Sequence, residues 1–352
     1  MAKPISFAYF DSPFQVFYSE LSDRALTQSE LLLHSPGTIV TLEKKDRPYL
    51  YWRVYTAEGR RKDTYIGPAG DSGAQAKLED VRLRMAEARR FAEGSLTLRK
   101  QGYAAADNSA ALTLAALFNA GVFKHGAMLV GTHAYGALLN SLGVRMTANY
   151  FTEDIDIARY DTIQLAVRPD GGFLDILRQS GLPFVEVPRL DARKPSTSYK
   201  VRGQKLKVDL LVPGDRRYSS HPIPELKAHA TGLPYFDFLL EAPINAIVLG
   251  RDHVIPVKVP NPARYGLHKL IVAGLRVSTS AQKDAKDLAQ AGLLAAVLCE
   301  KFEADLYDAA RVGPKQARSR VLKSAQRAKV LLSESHSAAR DFLDRLPELW
   351  PG

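Results

Sequence analysis

Two aspartates, one residue apart, interrupt an apolar segment of the chain. Asp154 and Asp156 lie in "TEDIDIA", where they alternate with Ile155 and Ile157. Side chains alternate across a β-strand, so a strand here would place both carboxylates on one face and both isoleucines on the other. Two like charges at that spacing repel each other. The pattern therefore predicts a bound cation, because folding alone would leave the repulsion uncompensated.

A third acid lies in another apolar, strand-like segment. Asp209 is the acid of "KVDLLV". If the two strands are neighbours, Asp209 completes a cluster of three carboxylates. Mg²⁺ prefers oxygen ligands and typically takes one or two protein carboxylates together with substrate phosphates. Two such ions, about 4 Å apart, can activate an attacking oxygen and stabilise the leaving oxygen of a phosphate displacement.

A possible phosphate-binding turn precedes the aspartates. In "LVGTHAY" a short apolar strand is followed by Gly131 and Thr132 and then by a helical pattern. The free N–H groups at a helix N-terminus favour anions. Each feature also has a plainer interpretation: Thr132 as a helix cap, the paired aspartates as an exposed strand, and Asp209 as a sheet edge. Their order along the chain is more specific than any one of them.

The order strand, Gly-Thr, helix, then Asp-x-Asp strand, then Asp strand resembles the DNA polymerase β-like nucleotidyltransferase superfamily. That superfamily has hG[GS] at a strand–helix junction, D-x-[DE] on the next strand and a third acid on a later strand. The resemblance covers roughly residues 105–260 and is closest to bacterial stand-alone nucleotidyltransferase-fold proteins, several of which belong to toxin–antitoxin systems.

The resemblance implies a role for each matching residue. Asp154 and Asp156 would bind two Mg²⁺ ions, with Mn²⁺ as the alternative metal. Asp209 would bind one of the ions and help to activate the acceptor hydroxyl. Gly131 and Thr132 would contact the triphosphate of an NTP substrate.

The sequence also departs from the superfamily pattern. Thr132 replaces the usual Gly or Ser, and the long gap between the second and third acids implies an inserted subdomain around residues 162–203. In similar proteins a helical basic side chain contacts the triphosphate. Lys269 is the first candidate for that role and Arg276 the second, with Lys283 weaker, although all three could be ordinary exposed helix cations.

Three β-rich runs predict a small N-terminal meander. They cover residues 38–43, 48–55 and 62–66, with polar turn residues between them. In the middle run tyrosines and an arginine would share one face. That face could stack on bases, or the sheet could be half exposed and packed on a helix, which is the favoured interpretation.

These elements together predict an α+β protein. The expected parts are a small N-terminal β-meander, a central mixed-sheet nucleotidyltransferase fold and a C-terminal helical domain that ends in one long helix from Pro314 to Leu346. The predicted boundaries are residues 1–70 for the meander region, 71–104 for a helical linker, 105–260 for the nucleotidyltransferase domain and 261–352 for the helical domain.

Composition sets wider limits on the class of protein. The 352 residues carry a net charge of +10 with a pI near 9.5, which suits either a polyanionic partner or simple solubility. Basic tracts at 189–207 and 315–329 leave the same two interpretations open. We expect no membrane association, because no apolar run is long enough to cross a bilayer. The single cysteine and the lack of a signal-peptide pattern predict a cytoplasmic protein.

The leading functional hypothesis is a metal-dependent nucleotidyltransferase. It would transfer a nucleoside monophosphate from an NTP to a hydroxyl of RNA, a protein side chain or a small molecule, and release pyrophosphate. The alternative is a nucleotidyltransferase-fold binding module, antitoxin-like or nucleic-acid-binding, without turnover. A third hypothesis is a phosphate-binding regulator that acts through the N-terminal meander. The sequence does not indicate the oligomeric state.

Overall fold

The computed structural model describes residues 5–33, 36–56, 59–145, 154–160, 172–189, 191, 193–214, 219–275 and 281–352. Within these ranges the α-helices are α1 (Ser12–Leu26), α2 (Ser72–Lys100), α3 (Asn108–Asn119), α4 (Gly131–Ser141), α5 (Phe173–Arg178), α6 (Phe236–Leu240), α7 (Pro262–Leu275), α8 (Ala281–Lys301), α9 (Glu303–Arg311), α10 (Arg318–Lys329) and α11 (Ser337–Leu349).

The β-strands of the same ranges belong to one larger sheet and three smaller ones. They are β1 (Ala8–Tyr9), β2 (Thr38–Lys44), β3 (Arg47–Tyr55), β4 (Arg61–Pro68), β5 (Ala127–Val130), β6 (Val144–Arg145), β7 (Asp154–Arg159), β8 (Phe184–Glu186), β9 (Ser198–Val201), β10 (Lys207–Pro213), β11 (Ser220–Ile223), β12 (Ala228–Leu233), β13 (Ile244–Leu249) and β14 (Val254–Val259).

The central sheet is mixed. Its main path runs β11-β12-β10-β7-β5, and the β8–β9 hairpin joins it through β10. Strand β10 is parallel to both β7 and β12, whereas β5 is antiparallel to β7. This mixed sheet, together with the many helices, agrees with the predicted α+β class.

Strand β10 is paired along both of its edges. One edge pairs with β7 from Lys207 to Leu211. The other edge is shared, because β9 pairs with residues 207–209 and β12 with residues 211–213. The middle of β10 is therefore fixed by three neighbouring strands, and the acid in that strand has a defined position.

One face of β7 and β10 is part of the core. Ile155, Ile157, Val208 and Leu210 are at most 1% exposed. Alternation along each strand sends the acidic positions to the opposite face. Burial of the apolar face thus determines which way the carboxylates point. A shift of the strand register by one residue would turn the apolar side chains away from the core and the acids towards it.

The N-terminal meander forms as predicted. Strands β2, β3 and β4 make an antiparallel three-stranded sheet. Leu50 and Ile66 of this sheet form a buried cluster with Leu78 of α2, and Ile39 and Trp52 pack against it. The favoured interpretation, a sheet packed on a helix, is therefore correct for this face.

The predicted helix from Pro314 to Leu346 is wrong in extent. Helix α10 ends at Lys329 and α11 begins at Ser337. Ser333 between them is extended, and its hydroxyl lies 2.6 Å from that of Ser335. A short 3-10 turn follows, in which the N–H of His336 donates to the carbonyl of Ser333, so the α-helical hydrogen bonds stop after α10 and begin again in α11.

Several elements have no counterpart in the sequence prediction, including α1 and strands β11 to β13. The predicted insertion around 162–203 contains α5, β8 and β9 where it is described. No described helix combines the length and apolar character that a bilayer span requires.

Candidate active site

The register of the central sheet brings two of the three predicted acids together. Strands β7 and β10 run parallel, and Asp156 lies directly opposite Asp209. Neighbouring strands are about 4.8 Å apart, so the two side chains leave the same face of the sheet side by side. Asp154 lies opposite Lys207 one pair earlier. The expectation that the two acid-bearing strands are neighbours is confirmed.

Asp156 lies in the crowded centre of this face. Burial, followed by the charges of Asp209 and Asp154, raises the pKa of its carboxyl from 3.8 to about 6, although Lys269 and Lys207 act in the opposite direction. A carboxylate in such a place favours a proton or a cation. This is the electrostatic conflict that the alternating sequence pattern predicts.

Asp209 already has two polar partners. Ser198 of β9 donates its hydroxyl to one carboxylate oxygen, and the ammonium of Lys207 lies 2.8 Å from the other. Asp154 begins β7 and is exposed. Of the three acids, Asp154 is therefore exposed, Asp156 is crowded by its neighbours and Asp209 is held by two polar partners.

The Gly131–Thr132 turn lies against Asp156. Val130 pairs with Asp156 across β5 and β7, and the next residue, Gly131, begins α4 with a φ of +69°. A Cβ at Gly131 would overlap Oδ2 of Asp156 and lie 3.0 Å from its Cγ. Glycine is thus required both by the left-handed backbone and by the close approach of the carboxylate.

The start of α4 can accept an anion. The N-cap position is Val130, which provides no side-chain cap, so the first N–H groups of the helix lack that partner. His133 lies in the same turn. Its pKa is lowered to about 4, mainly by burial, so the imidazole is neutral at neutral pH.

Helix α7 supports this turn from the other side. Its N-terminus is capped by Asn261, whose side chain accepts from the N–H of Ala263 at 2.9 Å. One turn later the buried Tyr265 hydroxyl donates to the Gly131 carbonyl at 2.8 Å. Burial, followed by the charges of Asp287 and Asp156, raises the pKa of Tyr265 well above its usual value. Tyr265 is therefore a permanent donor that holds the glycine backbone.

The two basic residues predicted to contact the triphosphate, Lys269 and Arg276, differ in what the structure describes of them. Lys269 lies close enough to influence Asp156, but its ammonium is 2.8 Å from the buried Asp287. Arg276 lies outside the described residues. The roles of both remain predictions.

Lys286 of α8 is the basic residue that sequence reasoning missed. Its ammonium donates to the Thr132 hydroxyl at 2.9 Å, across 154 positions of sequence. The sequence singles out Lys283 one turn earlier, because linear spacing does not show which face of α8 meets the Gly131–Thr132 turn.

The oxygen ligands of the three acids suit Mg²⁺, although the described part of the chain does not by itself provide a complete set of ligands. Within the described ranges, no group of three or more His, Cys, Asp or Glu side chains is placed to hold a metal ion. Mg²⁺ usually binds through one or two carboxylates plus substrate phosphates, so a complete protein cage is not required. All three acids offer oxygen ligands only, and the raised pKa of Asp156 marks a position where positive charge is stabilising.

A family model described as "Nucleotidyltransferase" matches residues 108–312, more than half of the chain. The chain belongs to this nucleotidyltransferase family. The matched range contains the Gly131–Thr132 turn, the acid-bearing strands and Lys286. Family membership supports nucleoside monophosphate transfer in general and implies a nucleotide substrate. Searches of the curated proteins and of the solved structures gave no match.

The contact between Gly131 and Asp156 predicts a coupled pair of substitutions. We expect Gly131→Ala to lower the free energy of unfolding by about 3 kcal/mol, through left-handed strain of about 1–2 kcal/mol and overlap with the carboxylate. Chemical denaturation measures this loss. In an Asp156→Ala background the loss should shrink to the strain alone.

Gly203 provides the matched control for Gly131. Its φ is +77°, and a Cβ there would meet nothing within 4 Å. Gly203→Ala should therefore cost only the backbone strain. Equal losses at Gly131 and Gly203 would show that the carboxylate does not crowd the turn.

The raised pKa of Asp156 predicts that stability falls as pH rises from about 4 to 6. Over that window the folded state keeps a proton that the unfolded state has lost, so ionisation of the folded protein is unfavourable. Asp156→Asn should stabilise the metal-free protein at pH 7, by on the order of 2 kcal/mol. The gain should shrink towards pH 4 and vanish well below the unfolded pKa of 3.8, where the wild-type carboxyl is protonated in both states.

Urea unfolding with a chelator at pH 4, 5, 6 and 7 tests this expectation. Asp341→Asn, at an exposed position of α11, controls for the loss of one negative charge. A gain of the same size and pH dependence at Asp341 would assign the effect to net charge rather than to the site.

Proposed function

We propose that this nucleotidyltransferase moves a nucleoside monophosphate from an NTP to a hydroxyl acceptor with the help of Mg²⁺. The observation that carries the proposal is the pairing of Asp156 with Asp209 on adjacent parallel strands, beside the Gly131–Thr132 turn. It places acidic oxygens next to a helix start that favours anions. A metal-bridged triphosphate needs both.

Asp154 and Asp156 are the residues that would hold Mg²⁺, and Asp209 would join them. When bound, the ions would neutralise phosphate charge and favour an ionised acceptor oxygen. Asp154 is exposed, so it remains accessible from solvent. Asp209 would give up its ion pair with Lys207 and contact the metal together with Asp154 and Asp156.

The triphosphate would lie over the start of α4. The backbone N–H groups after Gly131 and the Thr132 hydroxyl face the same turn, and the Lys286 ammonium already reaches that hydroxyl. Lys286 would add positive charge where the triphosphate has most negative charge. Tyr265 would keep the turn in place through its bond to the Gly131 carbonyl.

The reaction proposed is a displacement at the α-phosphorus. The acceptor oxygen forms a bond to that phosphorus, the bond to the oxygen bridging to the β-phosphate breaks, and pyrophosphate leaves. The proton of the acceptor hydroxyl passes to Asp209 and then to solvent. The residues of the chain act mainly by positioning and charge stabilisation, as in phosphate transfer generally.

Membership of the wider DNA polymerase β-like superfamily is part of this proposal. It is supported by the chain order of the Gly-Thr turn, the Asp-x-Asp strand and the third acid. The net charge of +10 makes RNA a reasonable acceptor, beside a protein side chain or a small molecule. A bacterial origin and a place in a toxin–antitoxin system rest on the same resemblance.

A binding module without turnover is the second candidate. It is favoured by one observation, the Lys207 ammonium that already neutralises Asp209. A site of that kind could bind nucleotide without assembling the metal ligands. Catalysis and binding alone make different predictions for label transfer.

We expect transfer of label from an α-³²P-labelled NTP to an acceptor in the presence of Mg²⁺. Each of the four NTPs is incubated with the full chain, total tRNA and protein, and the products are separated by gel. Asp154→Ala should reduce transfer at least ~100-fold, because it removes charge stabilisation at the reacting phosphate. A γ-labelled NTP should transfer nothing, since its label leaves with pyrophosphate.

Glu186→Ala is the matched control, an exposed acid on β8 of the same sheet. It should transfer label at the wild-type rate. Tight RNA binding by the wild-type chain with no transfer under any condition would favour the binding module instead.

Lys286→Ala should raise the KM for the NTP by about ten-fold or more, because a charged contact to the triphosphate is lost. Steady-state kinetics over a range of NTP concentrations measures this, and binding of a fluorescent NTP provides a readout independent of turnover. Lys286→Arg should retain most of the affinity, and Lys283→Ala should change it little. Unchanged KM and Kd in Lys286→Ala would remove Lys286 from the nucleotide site.

A further inference from the structure

The outer face of the N-terminal sheet carries a cluster of tyrosines. Tyr51 of β3 pairs directly with Tyr65 of β4, and Tyr49 lies on the same face. The ring centroids of Tyr51 and Tyr65 are 5.4 Å apart, and those of Tyr49 and Tyr65 are 6.1 Å apart. We call these three residues the tyrosine face.

The tyrosine face is not needed to close the local core. The opposite face of the sheet supplies Leu50 and Ile66 to the cluster around Leu78 of α2. The tyrosines point away from that cluster, and Tyr65 is 53% exposed. A single exposed aromatic is common, but here the exposed Tyr65 ring is tilted against the rings of the half-buried Tyr49 and Tyr51, and such a cluster marks a surface that can take a ligand.

Positive charge surrounds the tyrosine face. The Lys44 ammonium lies 5.1 Å from the centroid of the Tyr51 ring and donates to its hydroxyl at 2.8 Å. Arg53 is the next residue of β3 on the same face, and two hydrogen bonds to Asp63 hold its side chain in place. Arg47 pairs with Lys44 at the end of the same face, and basic residues outnumber acidic ones across the described part of 38–68.

We propose that the tyrosine face binds a single-stranded segment of nucleic acid. Bases would stack on the exposed rings, and the surrounding cations would neutralise the phosphates between them. Aromatic side chains on a sheet surface stack two or three bases in this way, and stacking accepts any base because each has a π-face. A duplex fits less well, since its bases are stacked on one another and offer the rings no free faces.

This site is separate from the acid-bearing strands. The tyrosine face belongs to β3 and β4, whereas the transferase residues belong to β7, β10 and the helices around them. The proposal therefore concerns binding and does not depend on nucleotidyl transfer. Its failure would leave the proposed reaction untouched.

Fluorescence anisotropy with a labelled single-stranded RNA of about 16 nucleotides and mixed sequence tests the proposal. We expect the double variant Tyr51→Ala/Tyr65→Ala to bind at least about ten-fold more weakly than the wild-type chain, because stacking on two rings is lost. Tyr51→Phe/Tyr65→Phe keeps both rings and should retain wild-type affinity. A duplex of the same length should bind more weakly than the single strand.

Two single variants serve as controls. Phe302→Ala removes an exposed aromatic, 46% exposed, at the junction of α8 and α9, and should leave RNA binding unchanged. Arg61→Ala, at an exposed position on the same face of β4 as Tyr65, should weaken binding modestly and reduce its dependence on salt, because one phosphate contact is lost. Circular dichroism and thermal melting establish that each variant is folded.

Three results would overturn the proposal. One is wild-type affinity in the folded double alanine variant, and another is equal binding of duplex and single strand, which would indicate charge attraction alone. The third is no binding of single-stranded RNA or DNA by the wild-type chain at low salt. In that case the tyrosine face would serve a different partner, such as a protein.

Discussion

The candidate site is organised around one crowded carboxylate. Asp156 lies between the Gly131 backbone and Asp209 of the neighbouring strand, and its pKa is raised by burial and by like charge. Folding alone gains nothing from this arrangement, because buried charges without a counter-charge are unfavourable. The apolar face of the same strands provides the compensating stability, since Ile155 and Val208 are fully buried. The core thus holds the acids where they repel one another, and a bound cation or phosphate-bound metal would reduce that repulsion.

Much of this geometry was predictable from the sequence. Alternation in "TEDIDIA" and "KVDLLV" determines which side chains share a face, and it does so without knowledge of the rest of the fold. The glycine at position 131 and the helical pattern after it likewise predict the turn. The meander was also predictable, because three β-rich runs with polar turns follow one another closely in the chain.

The features that the sequence did not predict are mostly contacts between residues far apart in the chain. Lys286 reaches Thr132 and Tyr265 reaches the Gly131 carbonyl only because α7 and α8 pack against the start of α4. No spacing in the sequence encodes that packing. The break between α10 and α11 was missed for a local reason: helical periodicity continues across Ser333, although the backbone is extended there. The contact of Asp209 with Ser198 was missed because the pairing of β9 with β10 could not be read from the sequence.

The segment between β7 and β9 has a consequence for how the chain can vary. Where it is described, this segment is tied to the rest of the fold, because β8 pairs with β9 and α5 buries Phe173 and Ile176 in the main core. Strand β9 in turn provides Ser198 to Asp209. A change that loosens α5 or β8 should therefore disturb the position of the third acid, so this part of the chain is constrained by the site as well as by the core.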